Sequence, residues 1–152
     1  AEAARWGLES ATVSFELRQE QVRDLAKMLP CEAIVYGHLP LMVTENCLTA
    51  NSLGCASRNL QGTCRGPHAL TDRRGGRFPV LPVFGCRSEI ENGKPLFLAD
   101  KPDFRRCGLT WGRLRFTTED PDTCVRVLER YLGRGDFVPA DYTRGLFYRG
   151  VE

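Results

Sequence analysis

No stretch of the 152 residues approaches the roughly 18 consecutive apolar residues that a membrane-crossing helix needs. The N-terminus lacks the basic, then apolar, then small-residue order of a secretory leader. A cytoplasmic protein with no membrane partner is the expectation. Lysine is scarce, with 18 Arg and three Lys among the 21 basic residues, and the formal charge is only +2. So small an excess excludes a global electrostatic pull toward nucleic acid, and anion recognition would rest on local groups of Arg, whose planar fork suits phosphate and carboxylate. Only two His are present, and neither HExxH nor GxSxG occurs, so two familiar signatures of hydrolysis are missing. No two cysteines are separated by only two to four residues, which removes the usual knuckle of a structural zinc site. Internal repeats and low-complexity tracts are absent as well.

What is there suits a folded domain. Hydrophobic residues make up 42% of the chain, enough for a core. The opening AEAARWGLES has the look of a helix end stopping at Gly7. Thr12 to Leu17 (TVSFEL) reads as a strand, and Arg18 to Leu29 as a helix with Val22, Leu25, Ala26 and Leu29 inward, closed by Pro30. Glu32 to Tyr36 (EAIVY) is the next strand, so the order is that of a βαβ unit in a parallel sheet. From Gly37 to Gly85 periodicity fades into Gly, Pro, Asn and Arg, which predicts a long loop. Pro79 and Pro82 mark Phe78 to Phe84 (FPVLPVF) as an edge strand or extended segment. Leu96 to Ala99 is a further strand, Lys101 to Arg106 a helical turn, and Leu109 to Phe116 a strand. Asp120 and Pro121 open a helix that carries Cys124, Val127, Leu128, Tyr131 and Leu132 inward and stops near Gly133. In the tail from Tyr142 (YTRGLFYRG), aromatics alternate with Arg and Gly.

Seven cysteines are an odd number for a disulfide framework, and a reducing compartment would keep them as thiols for metal or chemistry. Four of them, Cys47, Cys55, Cys64 and Cys86, fall in the loop-like stretch, with seven, eight and 21 residues between successive members. Polar, glycine-rich surroundings give these thiols no apolar reason to be there. Gly54, Gly62 and Gly85 lie beside or near them and let backbone approach bulky sulfurs. Spacing this wide leaves zinc open, but favours an iron-sulfur cluster, which accepts thiolates from well-separated loops. Cys31, Cys107 and Cys124 lie beside strands or on a helix face and read as core residues.

Several segments together resemble the collagenase-like peptidases, family 32 among peptidases of unknown catalytic type. The segments are YGHLPLMVTENC (Tyr36 to Cys47), Gly54-Cys55, LTDRRGGRFPV (Leu70 to Val80), GCRSEIENGKPLFLAD (Gly85 to Asp100), and the ending from Leu114 through YTRGLFYRG. The resemblance implies an α/β fold, the C-terminal portion of a (β/α)8-type barrel with a long cysteine-bearing loop insertion. The late βα units would occupy residues 1–38, the metal-binding region 39–95, and the last strand, helix and tail 96–152. The partner would be the remainder of the same barrel, since a whole barrel takes about 200 residues or more. The resemblance further implies a 4Fe-4S cluster on Cys47, Cys55, Cys64 and Cys86, and peptidase activity by family name. The alternative it carries is prephenate-dependent or oxygen-independent hydroxylation of tRNA, rRNA or a small aromatic substrate, with RNA as partner. A reading from another class is a non-catalytic module with a structural metal. His38 is a departure, standing where the family motif usually has Arg.

Catalytic groups of a barrel sit at the C-terminal ends of its strands, which is where Glu16 and His38 fall. His68 lies in the cysteine stretch and reads as a solvated loop residue. Arg65, Arg73, Arg74, Arg77 and Arg87 crowd near Asp72 and Glu89. Arg73, Arg74 and Arg87, with Arg115 on the last strand, are the candidate substrate or phosphate contacts; the competing reading is a network of Arg73 or Arg74 with Asp72 or Glu89 that pins the loop.

Overall fold

A computed structural model describes residues 2–53, 68–84 and 86–149. The chain forms two compact units, one built from residues 1–37 and 95–152, the other from residues 38–94.

In the first unit, β1 (Ala11–Thr12), α2 (Gln19–Ala26) and β2 (Cys31–Gly37) follow the short helix α1 (Glu2–Arg5). β1 and β2 are parallel, with Ala11 opposite Cys31 and Thr12 opposite Glu32, so the βαβ reading holds. The first strand is much shorter than the β-branched run suggests. Beyond Val13, whose N–H reaches the Glu32 carbonyl at 2.8 Å, the chain turns: the Ser14 carbonyl accepts from Leu17 N–H and the Ser14 hydroxyl from Glu16 N–H. Serine competes with the ladder by offering the backbone a local partner. The Gln21 side chain accepts the Arg18 N–H at 2.9 Å at the start of α2.

β2 is the spine of this unit. Glu32 is opposite both Thr12 and Trp111, and Gly37 is opposite both Leu96 and Arg115. Hence β8 (Trp111–Arg115), parallel to β2, occupies one side, while β1 and the antiparallel β7 (Leu96–Phe97) share the other. The tail joins the sheet beside β7, where Phe97 N–H donates to the Thr143 carbonyl and Thr143 N–H to that of Pro95, both at 2.9 Å. Gly37 is obligatory: its φ is +122°, and a Cβ there would lie 2.0 Å from the Arg115 carbonyl oxygen.

Helix α4 (Pro121–Tyr131) begins as its sequence predicts, with Asp120 accepting the Thr123 N–H at 2.8 Å and proline in the first turn. Val127 is fully buried against Tyr36 and Phe97. The Tyr131 hydroxyl donates to the Val35 carbonyl at 2.5 Å and accepts from Leu98 N–H at 3.0 Å, tying helix to sheet. Leu128 and Leu132 are not inward; they are 46% and 56% exposed, and so is Leu25 of α2 at 43%. The covered stripe of α4 is Cys124, Val127 and Tyr131, which is narrower than its apolar pattern.

The second unit corrects the expectation of a long loop. β3 (Pro40–Thr44), β4 (His68–Thr71), β5 (Arg77–Val83) and β6 (Arg87–Glu91) make an antiparallel sheet in the order β3-β6-β5-β4, with α3 (Leu48–Leu53) after β3. The strands hide in the sequence because, among the described residues, β3 is an edge: Leu41, Met42 and Val43 are each more than half exposed, so inside-outside alternation is lost. β5 is not an edge strand despite Pro79 and Pro82. It pairs with β4 only over Arg77–Val80 and with β6 only over Val80–Val83. Pro79 sits in the first half and Pro82 in the second, so among the described residues each proline has one side where no ladder N–H is required. No closed barrel is formed by the described residues, and no helix among them is long and apolar enough to cross a membrane.

Candidate metal centre

Strand register brings Cys47 and Cys86 to one end of the second sheet. β3 and β6 run antiparallel with Thr44 opposite Ser88, so the chain leaving β3 reaches Cys47 beside the point where the chain from Cys86 enters β6. Two contacts hold this junction. The buried Ser88 hydroxyl accepts the Leu48 N–H at 3.0 Å, and Arg87 donates to Glu45 at 2.9 Å. Because Ser88 is 2% exposed and Glu45 is largely in water, the hydroxyl is the stronger clamp; exposed ion pairs contribute little.

The sulfur of Cys47 accepts the Ala50 N–H at 3.3 Å, and its carbonyl accepts from Asn51 N–H. Cys86 adopts φ +58°, uncommon for a residue with a side chain, in the turn between β5 and β6. Both are partly exposed. Their surroundings differ from those of Cys31 and Cys107, which are 2% and 0% exposed and donate their S–H to the carbonyls of Leu29 and Asp103. Burial pushes both of those thiols up, and the Cys124 thiol likewise. A donating, desolvated thiol is a poor metal ligand; an accepting, accessible sulfur is a suitable one. Cys47 and Cys86 have the donor chemistry that a thiolate site requires. Cys55 and Cys64, the other two expected ligands, lie outside the described residues, as does Arg65, and no larger metal-binding group occurs among the described residues.

The remaining candidates are scattered. Glu16 is exposed in the turn after Val13. His38, in the other unit, is half-buried, with Nδ1 2.5 Å from the Asn92 carbonyl oxygen. A carbonyl only accepts, so Nδ1 carries the proton, and in the neutral ring the lone pair lies on Nε2. Arg73 and Arg74 are exposed at the β4–β5 turn. Asp72 does pin that turn, but through backbone: one carboxylate oxygen accepts both Arg74 N–H and Gly76 N–H at 2.8 Å. Arg87 is occupied by Glu45, and Arg115 is half-buried at the end of β8 beside Gly37. His68 begins β4 and is not a loop residue.

Ser88 is the organising residue that the sequence pattern did not single out. Its signal is a small polar residue two positions after a candidate ligand, inside a strand. No protein-family model, curated protein or solved structure matches the chain.

Proposed function

We propose that residues 38–94 bind a four-thiolate iron-sulfur cluster through Cys47, Cys55, Cys64 and Cys86, within a protein of the collagenase-like peptidase type. The observation that supports the reading is the strand register that puts the chain ends carrying Cys47 and Cys86 at one end of the sheet, with the Cys47 sulfur accepting a backbone N–H. When bound, such a cluster supplies one-electron transfer. The chain's own residues would hold it: Ser88 fixes the Cys47 segment, the Ala50 amide stabilises sulfur charge, and the β5–β6 turn presents Cys86.

Electron transfer of this kind favours hydroxylation of an RNA or small aromatic substrate over peptide hydrolysis, since hydrolysis gives a redox centre nothing to do. Proteolysis requires an activated nucleophile or metal-bound water. Glu16 and His38 are the residues to which it would be assigned, and they stand in different units. Zinc is the competing occupant of the thiolates.

Anaerobic purification followed by iron, sulfide and visible absorption measurements tests the proposal. A brown protein with equal iron and acid-labile sulfide supports it, whereas a colourless one with stoichiometric zinc overturns the ligand chemistry. Casein digestion that is abolished by Glu16→Ala would restore the peptidase reading.

A further inference from the structure

The first unit carries a cavity of about 520 Å³ between the segment after β7 and the C-terminal tail. Six of its lining side chains matter: Lys101, Asp103, Tyr142, Arg144, Tyr148 and Arg149. Their charges are not equivalent. Arg144 is paired with Asp100, which also accepts from the Tyr142 hydroxyl at 3.2 Å, so the Arg144 and Tyr142 side chains are both held by this carboxylate. Lys101 and Arg149 make no side-chain hydrogen bond or ion pair among the described residues. With Asp103 as the one further charge of the lining, two cations and one carboxylate face the concave space, an excess that attracts an anion, and an Arg with a Lys suits phosphate oxygens.

The rest of the lining narrows the ligand. Tyr148 is 37% exposed and packs edge-on against the buried Phe147, with ring centroids 5.2 Å apart, which leaves ring surface open to stacking. Asp103 lies close enough that its charge, after the effect of burial, adds to the rise of the Tyr148 phenol. A carboxylate beside an aromatic platform and two cations matches the parts of one nucleotide: hydroxyls of a ribose for Asp103, a base for Tyr148, phosphate for Lys101 and Arg149. The tail holding Tyr148 and Arg149 is firmly placed, since Gln19 N–H donates to the Phe147 carbonyl at 2.9 Å and Gly145 N–H to the Thr143 hydroxyl at 3.0 Å.

We propose that this cavity binds a ribonucleotide phosphate, free or at an accessible position of a single strand, with Lys101 and Arg149 on the phosphate, Tyr148 under the base and Asp103 on the ribose. The site lies in the unit that does not hold Cys47 and Cys86, and its existence is independent of the cluster.

Calorimetric titration of the whole chain with AMP, CMP, inorganic phosphate and a short single-stranded oligoribonucleotide tests it. Mononucleotides should bind at least about tenfold more tightly than phosphate, because stacking on Tyr148 adds to charge. The double variant Lys101→Gln with Arg149→Gln should lose about tenfold or more for every ligand. Tyr148→Ala should bring nucleotide affinity down to that of phosphate, and Asp103→Asn should reduce the preference for ribose over deoxyribose. Oligonucleotide binding tighter than mononucleotide binding, lost in the same variants, assigns the phosphate to a strand; equal affinity assigns it to a free nucleotide. Absence of saturable binding at millimolar nucleotide, or affinity unchanged in a double variant whose thermal unfolding matches the parent, overturns the proposal.

Discussion

Replacing Ser88 by alanine removes the hydroxyl that receives the Leu48 N–H at 3.0 Å, in a position only 2% exposed. Water cannot readily take its place, so the amide is left without an acceptor, at a cost of about 1–3 kcal/mol. At 1.4 kcal/mol per factor of ten, the segment carrying Cys47 should detach from β6 roughly 5 to 140 times more often. Amide hydrogen exchange at Leu48 reads this directly, and it should accelerate by that factor while Val22 and Val127, buried in the other unit, keep their protection. A short bifunctional maleimide should also link Cys47 to Cys86 more slowly in the variant. Ser88→Thr keeps the hydroxyl and should preserve much of the protection. If Leu48 exchanges at the parent rate in Ser88→Ala, the hydroxyl does not hold the cysteine segment and the account of the junction is wrong.

Tyr131→Phe should destabilise the first unit by about 2–4 kcal/mol in denaturant titration, since Leu98 N–H and the Val35 carbonyl each lose a partner. Gly37→Ala should abolish cooperative folding of that unit, because its Cβ would overlap the Arg115 carbonyl; near-parental melting would contradict the β2–β8 register. Near neutral pH, iodoacetamide should modify Cys47 well before Cys31 and Cys107, whose thiols burial pushes up, and mass mapping over time gives the order. Thr123 holds the Asp120 carboxyl below its usual range, so the stability this cap provides is complete above the unfolded value and is lost as pH falls through the lower folded value. The stability difference between parent and Asp120→Ala should therefore close in acid; a gap independent of pH would refute the assignment.

Elements fixed by local chemistry were readable from the chain. Asp120 followed by Pro121 names a helix start on any backbone, and the order of strand, helix and strand from Thr12 to Tyr36 implied the parallel pairing that β1 and β2 make. Elements decided by neighbours were not. Pro79 and Pro82 forbid a strand flanked fully on both sides, but cannot reveal that β4 and β6 each cover a different half of β5. Apolar residues at helical spacing placed Leu128 and Leu132 inward, whereas the covered stripe of α4 is narrower than the pattern. For the cysteines, sequence separated Cys31 and Cys107 from the loop-borne set by context alone. Geometry adds the physical ground, which is that the buried pair donate through sulfur while Cys47 accepts. That the chain segments bearing Cys47 and Cys86 lie at the same sheet end depends on a strand register that no spacing rule contains.

Iron and acid-labile sulfide content, measured anaerobically across the seven single Cys→Ser variants, decides whether four of the thiols hold a cluster. A four-iron centre predicts about four of each per parent chain, a large loss for positions 47, 55, 64 and 86, and retention for positions 31, 107 and 124 in variants that remain folded. Equal losses at all seven positions, or a parent protein that holds zinc and no sulfide, would contradict it.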